Sequence, residues 1–418
     1  MANPKLAMIP TGYKAGKVYS VLPESGVGDF TFDRDSKATR VNEDGLIEVM
    51  NNDVPRLDYT DGGCPSLLLE PESTNLVTYS EDFTQWQQGG GITVTAESTI
   101  SPDGTLNAEK IEKTSQSYCY VRTEVDVGSL SVMSVFVKKG NYRYIGVRNN
   151  DSSHNVFDFD TKSFVKIQPN HNVSFEEFPN DWFRLIDART ISTNTSVYRG
   201  VSLTTEDGSE VSNLIPLNAF NYVWGAMVEE QEYATSYIPT NGTAVTRVGE
   251  ICTDAGDATT FNDSEGVLMA EIKKINETTA TSSIVISDGS TANRVQIALI
   301  KETNLINGYI QSGSSGTIIT SNVPDFKSMN KVLVKYNTTQ VTLWINGFQA
   351  NTVIGNYTWS NGTLNELSFE IGTGAEKFYG NTKQIQYFDS ALTDAELETL
   401  TSWASFTEMA NGQNYTII

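Results

Sequence analysis

The sequence predicts an all-β protein, with a short N-terminal segment followed by two β-sandwich domains of jelly-roll type, and three observations lead there. Short apolar runs with a two-residue period recur along most of the chain, fenced by Gly, Pro, Asn or Asp, as strands joined by tight turns are. Charged residues are only 19% of the chain while glycines number 32, a balance that suits polar β-structure better than helix. At 418 residues the chain is too long for one core, and about 150 residues per domain gives two to three.

Residues 1–74 form the expected N-terminal segment. Val18-Tyr19-Ser20-Val21-Leu22 and Leu46-Ile47-Glu48-Val49 are strand candidates, but too few and too short to close a core alone, so they must pack on a partner. Leu67-Leu68-Leu69 lies between Pro65 and Pro71, each of which fixes φ and lacks an N–H, so it reads as a buried strand and not a helix. Residues 75–248 then carry strand candidates at sandwich spacing, from Asn107 to Lys113 through Ser131 to Lys138 and Trp182 to Ala188, to Tyr222 to Glu229. Residues 249–263 read as a linker of small polar residues. Residues 264–403 alternate cleanly in Lys331-Val332-Leu333-Val334-Lys335-Tyr336 and Val341-Thr342-Leu343-Trp344-Ile345, and Thr393-Asp394-Ala395-Glu396 is a capping box opening one short helix. Residues 404–418 form a tail.

The net charge of −22 argues against a nucleic-acid partner, because phosphate affinity needs clustered Lys and Arg. No stretch approaches the length of a membrane helix, and the first ten residues lack the apolar core of a signal peptide, so synthesis in the cytoplasm without membrane insertion is expected. Cys64, Cys119 and Cys252 are widely spaced and read as free, mostly buried thiols.

Several separated motifs carry a resemblance. Thr31-Phe32-Asp33-Arg34-Asp35-Ser36-Lys37-Ala38-Thr39-Arg40, Gly45-Leu46-Ile47, Pro55-Arg56-Leu57-Asp58-Tyr59 and Leu67-Leu68-Leu69-Glu70-Pro71-Glu72-Ser73-Thr74-Asn75-Leu76 together resemble the N-terminal module of bacteriophage virion proteins, the head and tail fibres. The resemblance implies docking on other virion proteins of capsid or tail, through Arg34, Arg40, Arg56, Leu67, Leu68, Leu69 and Glu70. It further implies a virion-surface location and a homo-oligomer, a trimer before a dimer. Asn75-Leu76-Val77-Thr78-Tyr79-Ser80-Glu81-Asp82-Phe83-Thr84-Gln85-Trp86 resembles the opening of carbohydrate-binding jelly rolls. Residues 264–403 resemble laminin-G or concanavalin A-like sandwiches. A fibre that presents glycan-binding sandwiches to a host-surface glycan is the implied function; a capsular depolymerase and a purely structural decoration of the shell are the alternatives.

Sugar recognition asks for aromatic faces flanked by groups that hydrogen-bond hydroxyls. In Asn141-Tyr142-Arg143-Tyr144-Ile145-Gly146-Val147-Arg148 the strand period sends Tyr142, Tyr144 and Arg148 to one face. Tyr357 and Trp359 stand in a polar, glycine-ended stretch and are the second glycan candidate. Asp288 and Asn293 flank a turn that offers oxygens to Ca2+. No catalytic residues are expected. Glu366 and Glu370 lack the middle acid of a glucanase strand motif, and His154 and His171 read as loop residues outside any nucleophile triad.

Overall fold

The computed structural model describes every residue except 1–2, 150–152, 191–194, 212, 277–279, 324, 404–406 and 409–418, so the expected tail lies outside the described residues apart from 407 and 408. The chain is all-β, as predicted, and divides into two compact units. One comprises residues 1–37, 50–71 and 249–418, the other residues 38–49 and 72–248.

In the first unit an eight-stranded antiparallel sheet runs in the order Phe348–Ile354, Gln340–Ile345, Asn330–Asn337, Glu265–Lys274, Gly380–Phe388, Ser66–Leu69, Arg56–Asp58, with Leu6–Met8 also on Gly380–Phe388. A five-stranded sheet shares its core: Leu268, Ala270 and Ile272 meet Ile284, Ile286, Val295 and Ile297. The alternate residues Val267 and Met269 bury on the opposite face with Leu333, Trp344 and Phe388, under Leu392 and Leu397 of the short helix region. Helix Asp394–Thr401 starts where expected, and Glu396 accepts the Thr393 N–H at 3.0 Å. A strand covered on both faces needs apolar residues at successive positions, which is why Glu265–Lys274 is buried almost throughout.

The N-terminal segment, expected to pack on a partner, is not a separate body: most of it belongs to the same compact unit as residues 249–418. Leu6 pairs with Tyr387, Met8 with Ile385, and Leu67 with Thr382, so the strands of the opening residues complete a sheet through Gly380–Phe388, a strand more than three hundred residues later. The burial those strands could not find among themselves comes from their own chain. Leu67–Leu69 is indeed a fully buried strand. The expected linker likewise holds a strand, Ile251–Thr253, paired with Phe30–Asp33.

The second unit is a sandwich of two six-stranded antiparallel sheets. One runs Gln87–Gln88, Tyr120–Val127, Thr195–Ser202, Tyr144–Asn149, Ser153–Asp158, Ser163–Lys166; the other runs Ile92–Thr99, Ala108–Lys113, Phe220–Glu229, Leu130–Lys139, Trp182–Thr190, His171–Phe178. Val121, Val125, Val197, Val201 and Val147 from the first meet Val135, Val137, Leu185 and Val223 from the second. Residues 38–49 supply Ile47 to a further cluster with Phe136, Trp182, Trp224 and Tyr237. Among the described residues, no helix is long and apolar enough to cross a membrane.

Candidate functional site

In the second unit, Val121, Val125 and Val127 point into the core, so the strand period turns Tyr120, Arg122 and Glu124 to the outer face. Register places Arg122 opposite Gly200 and Glu124 opposite Tyr198. The Arg122 guanidinium carbon lies 3.8 Å from the Tyr198 ring centroid and 4.5 Å from that of Tyr120. Its Nε donates to Gln87 Oε1 at 2.8 Å. Two rings and an amide thus hold one planar cation in a fixed orientation, while its terminal nitrogens carry no hydrogen bond to the described residues. Tyr118, 52% exposed, extends the aromatic row with its ring 6.2 Å from that of Tyr120.

Gly200 makes this row possible. A Cβ there would sit 2.1 Å from the Val121 carbonyl oxygen and 2.7 Å from Arg122 Cα, so only glycine admits the close approach of the two strands.

Behind the row, Arg148 also stacks on Tyr120, at 4.5 Å, but it is 2% exposed and ion-paired with Glu210. Glu210 lies within 3.2 Å of both His154 Nε2 and Ser202 Oγ. Burial opposes its ionisation, but hydrogen bonds from His154 and Arg148 outweigh that and hold its carboxyl below the usual range. Arg148 is therefore a support for Tyr120 and not a ligand-facing group. Tyr142 precedes the strand, packs on the core and donates to the Thr204 carbonyl at 3.0 Å; burial pushes its phenol up to about 12. Tyr144 is half-buried, 3.3 Å from Glu206. The three residues expected to share one sugar face do different jobs because the segment from Leu203 to Glu210 folds over that part of the sheet. Both histidines, read as loop residues, stand in strands, with His154 buried and His171 Nδ1 2.7 Å from Asp187.

The other candidates lie in the first unit. Tyr357 is 2% exposed and its hydroxyl donates to Thr317 Oγ1 at 2.6 Å, so it is a core residue. Trp359 is half-buried beside an open cleft. Asp288 accepts from Asn293 Nδ2 at 2.7 Å and from Ser290 Oγ at 2.6 Å, and Asn293 Oδ1 accepts the Gly313 N–H. The pair expected to offer calcium oxygens is thus committed to its own hairpin and to the neighbouring turn at Gly313, and no group of three or more His, Cys, Asp or Glu side chains among the described residues is placed to hold a metal.

The residues expected to dock a particle are inside the fold. Arg34, Arg56, Leu67, Leu69 and Glu70 are at most 2% exposed and Leu68 is 8% exposed. Glu250 accepts from Arg34 Nη1 at 2.7 Å and from Arg56 Nε at 2.8 Å, while Arg56 Nη1 reaches Glu70 at 2.7 Å. Arg40 pairs with Glu48 at 2.8 Å in the second unit. These side chains hold strands together and present little surface to a partner. Glu250, Tyr120, Arg122 and Tyr198 were not singled out by sequence reasoning; alternation around Val121 and Val125 was the available signal for Arg122.

No family model and no curated protein matches the chain. Solved structures similar to parts of it include the Ruminococcus gnavus IT-sialidase CBM40 bound to α2,3-sialyllactose, at 18% identity over 35% of this chain and 86% of that one, with a TM-score of 0.31. Domain 4 of AbnA, a GH43 extracellular arabinanase from Geobacillus stearothermophilus, in complex with arabinotriose, matches at 13% identity over 41% and 84%, with a TM-score of 0.31. A heptameric SAP-like pentraxin from Limulus polyphemus matches at 13% identity over 34% and 72%, with a TM-score of 0.28.

Proposed function

We propose that this chain is a non-enzymatic glycan-binding protein of a bacteriophage particle, a head or tail fibre that works as a homo-oligomer on the virion surface and adheres to an acidic glycan of the host. The particle assignment is supported by the ordered motifs between Thr31 and Leu76. The binding assignment is carried by one observation: Arg122 clamped between Tyr120 and Tyr198 on an open sheet face. Aromatic rings offer faces for the apolar side of a pyranose. A guanidinium whose orientation is already fixed offers a planar fork to a carboxylate, and little further ordering is needed on binding.

The test is equilibrium binding of the purified full chain to an array of oligosaccharides with and without uronic or sialic acid. Acidic glycans are expected to bind, and Arg122→Ala and Tyr198→Ala each to weaken them by about tenfold or more, a change of about 1.4 kcal/mol. Arg122→Lys should not restore binding, since an ammonium lacks the planar fork. Silence across the array, or binding indifferent to both alanine variants, overturns the reading. Release of free oligosaccharide during incubation would replace adhesion with cleavage.

A further inference from the structure

The first unit carries a cleft of about 410 Å³ lined by Thr259, Asn262, Asp263, Ser264, Trp359, Asn361 and Asp389 among others, a size in the range of small-ligand sites. Its walls are fixed from within. Asp263 accepts the N–H of Leu364 at 2.8 Å and that of Gly362 at 2.5 Å, which ties the loop after Trp359 to the segment before Glu265–Lys274. Asn262 is held through its N–H by Tyr387 Oη at 2.8 Å, through its carbonyl by Tyr336 Oη at 2.7 Å, and through its side chain by the Asp389 carbonyl at 2.8 Å.

Trp359 is pinned as firmly. Its indole N–H donates to the Gln311 carbonyl at 3.1 Å, and its ring meets Tyr336 edge-on with centroids 5.8 Å apart. The indole contributes a small apolar patch to a cleft whose lining is otherwise mostly polar. Among the exposed residues that line it, the Asn361 amide, the Asp389 carboxylate and the Ser264 hydroxyl make no hydrogen bond to the described residues. No Lys or Arg lines the cleft, while Asp263 and Asp389 both do.

We infer that this cleft is a second carbohydrate subsite, one that takes a neutral hexopyranose and excludes acid-bearing sugars. The inference extends the proposed glycan binding, but its residues belong to the other unit and share nothing with the Arg122 face. The indole patch touches the apolar face of a pyranose, the polar lining, an amide and a carboxylate foremost, hydrogen-bonds its hydroxyls, and two carboxylates without a facing cation repel a sugar carboxylate. The two sites therefore select opposite classes of sugar.

The experiment follows the indole N–H resonances of the full chain by NMR during titration with methyl β-D-glucopyranoside, methyl β-D-galactopyranoside and methyl β-D-glucuronide. The Trp359 signal is identified as the one lost in Trp359→Phe, and unchanged positions of the other indoles show that this variant is folded. At least one neutral glycoside is expected to shift the Trp359 signal saturably by about 50 mM, as a millimolar site does, with the glucuronide about tenfold weaker or more. Asp389→Asn should narrow that gap to about threefold. Arg122→Ala should leave the titration unchanged. No saturable shift with either neutral glycoside, equal response to the glucuronide, or loss of the shift in Arg122→Ala each overturns the proposal.

Discussion

Arg34 donates to Glu250 at 2.7 Å in the interior of the first unit although 216 residues separate them in the chain. Glu250 also takes Arg56, so one carboxylate answers two fully buried guanidinium groups. Burial opposes the charge on Arg56, but Glu250 and Glu70 outweigh that and hold its pKa above the ordinary arginine value. Removing the shared partner leaves charge buried without compensation, which costs far more than the pair itself contributes. Glu250→Ala should therefore destabilise this unit by about 3–5 kcal/mol, read as a fall in the denaturant midpoint with unchanged slope. Loss of less than about 1 kcal/mol would mean that water reaches the cluster.

A methyl group at Gly200 has nowhere to go, because the Val121 carbonyl occupies its place. Gly200→Ala should force the strands Tyr120–Val127 and Thr195–Ser202 apart and cost about 1–3 kcal/mol. Since Arg122 stands directly opposite, the same substitution should weaken acidic-glycan binding without touching a contact residue. Thermal unfolding and the binding assay on one preparation check both effects.

Glu109 is 2% exposed and its carboxylate accepts the Phe83 N–H at 2.8 Å. Burial, the larger influence, raises its carboxyl to about 8, with Asp82 adding to the rise and the Phe83 bond opposing it. A carboxyl raised on folding keeps its proton in the native state between its ordinary value of 4.5 and about 8, while the unfolded chain has already lost it. Stability then falls as pH rises through that window and levels off above it. Glu109→Gln keeps an acceptor for Phe83 and removes the titration, so the variant should lose less stability than the parent between pH 5 and pH 8, approximate limits inside that window. Parallel slopes for the two proteins would refute the assignment.

Cys64 is exposed, whereas Cys119 and Cys252 are buried, and burial pushes both of the latter thiols up. Because the thiolate is the nucleophile, a thiol-specific reagent should modify Cys64 rapidly in the native protein and the other two only after denaturation. Fast modification in a Cys64→Ser variant would contradict the packing around the buried pair.

The strands that were legible are those whose alternation faces one core: Lys331 to Tyr336 and Val341 to Ile345 were expected as strands and are strands. His171–Phe178 escaped notice because, as a sheet-edge strand, it fully buries no residue and only half-buries His171, Val173, Phe175 and Phe178. The pairing of Leu6–Met8 with Gly380–Phe388 has no local signal at all, since register across the whole chain decides it. The site shows the same division. Adjacency in sequence drew attention to Tyr142, Tyr144 and Arg148, and nothing local announced that Glu210 would cover Arg148. The row that stays open draws Arg122 and Tyr198 from strands separated by several others in sequence, brought together by the Arg122 and Gly200 register.

That same dependence on distant register decides the behaviour of the opening residues in isolation. Leu6–Met8 and Ser66–Leu69 have their partner in Gly380–Phe388, Phe30–Asp33 has Ile251–Thr253, and both buried arginines answer to Glu250. A fragment of residues 1–74 lacks every one of these partners while retaining the unpaired strand edges and buried arginines that they satisfy. It should therefore show the circular dichroism of an unfolded chain and no cooperative melt. In the full chain, Leu6 and Leu67 are completely buried, so Leu6→Ala and Leu67→Ala should each cost about 2–5 kcal/mol. A fragment that melts cooperatively would show that the opening residues can satisfy their own backbone and charge, and the pairing with Gly380–Phe388 would then be an addition to a folded module instead of the condition for one.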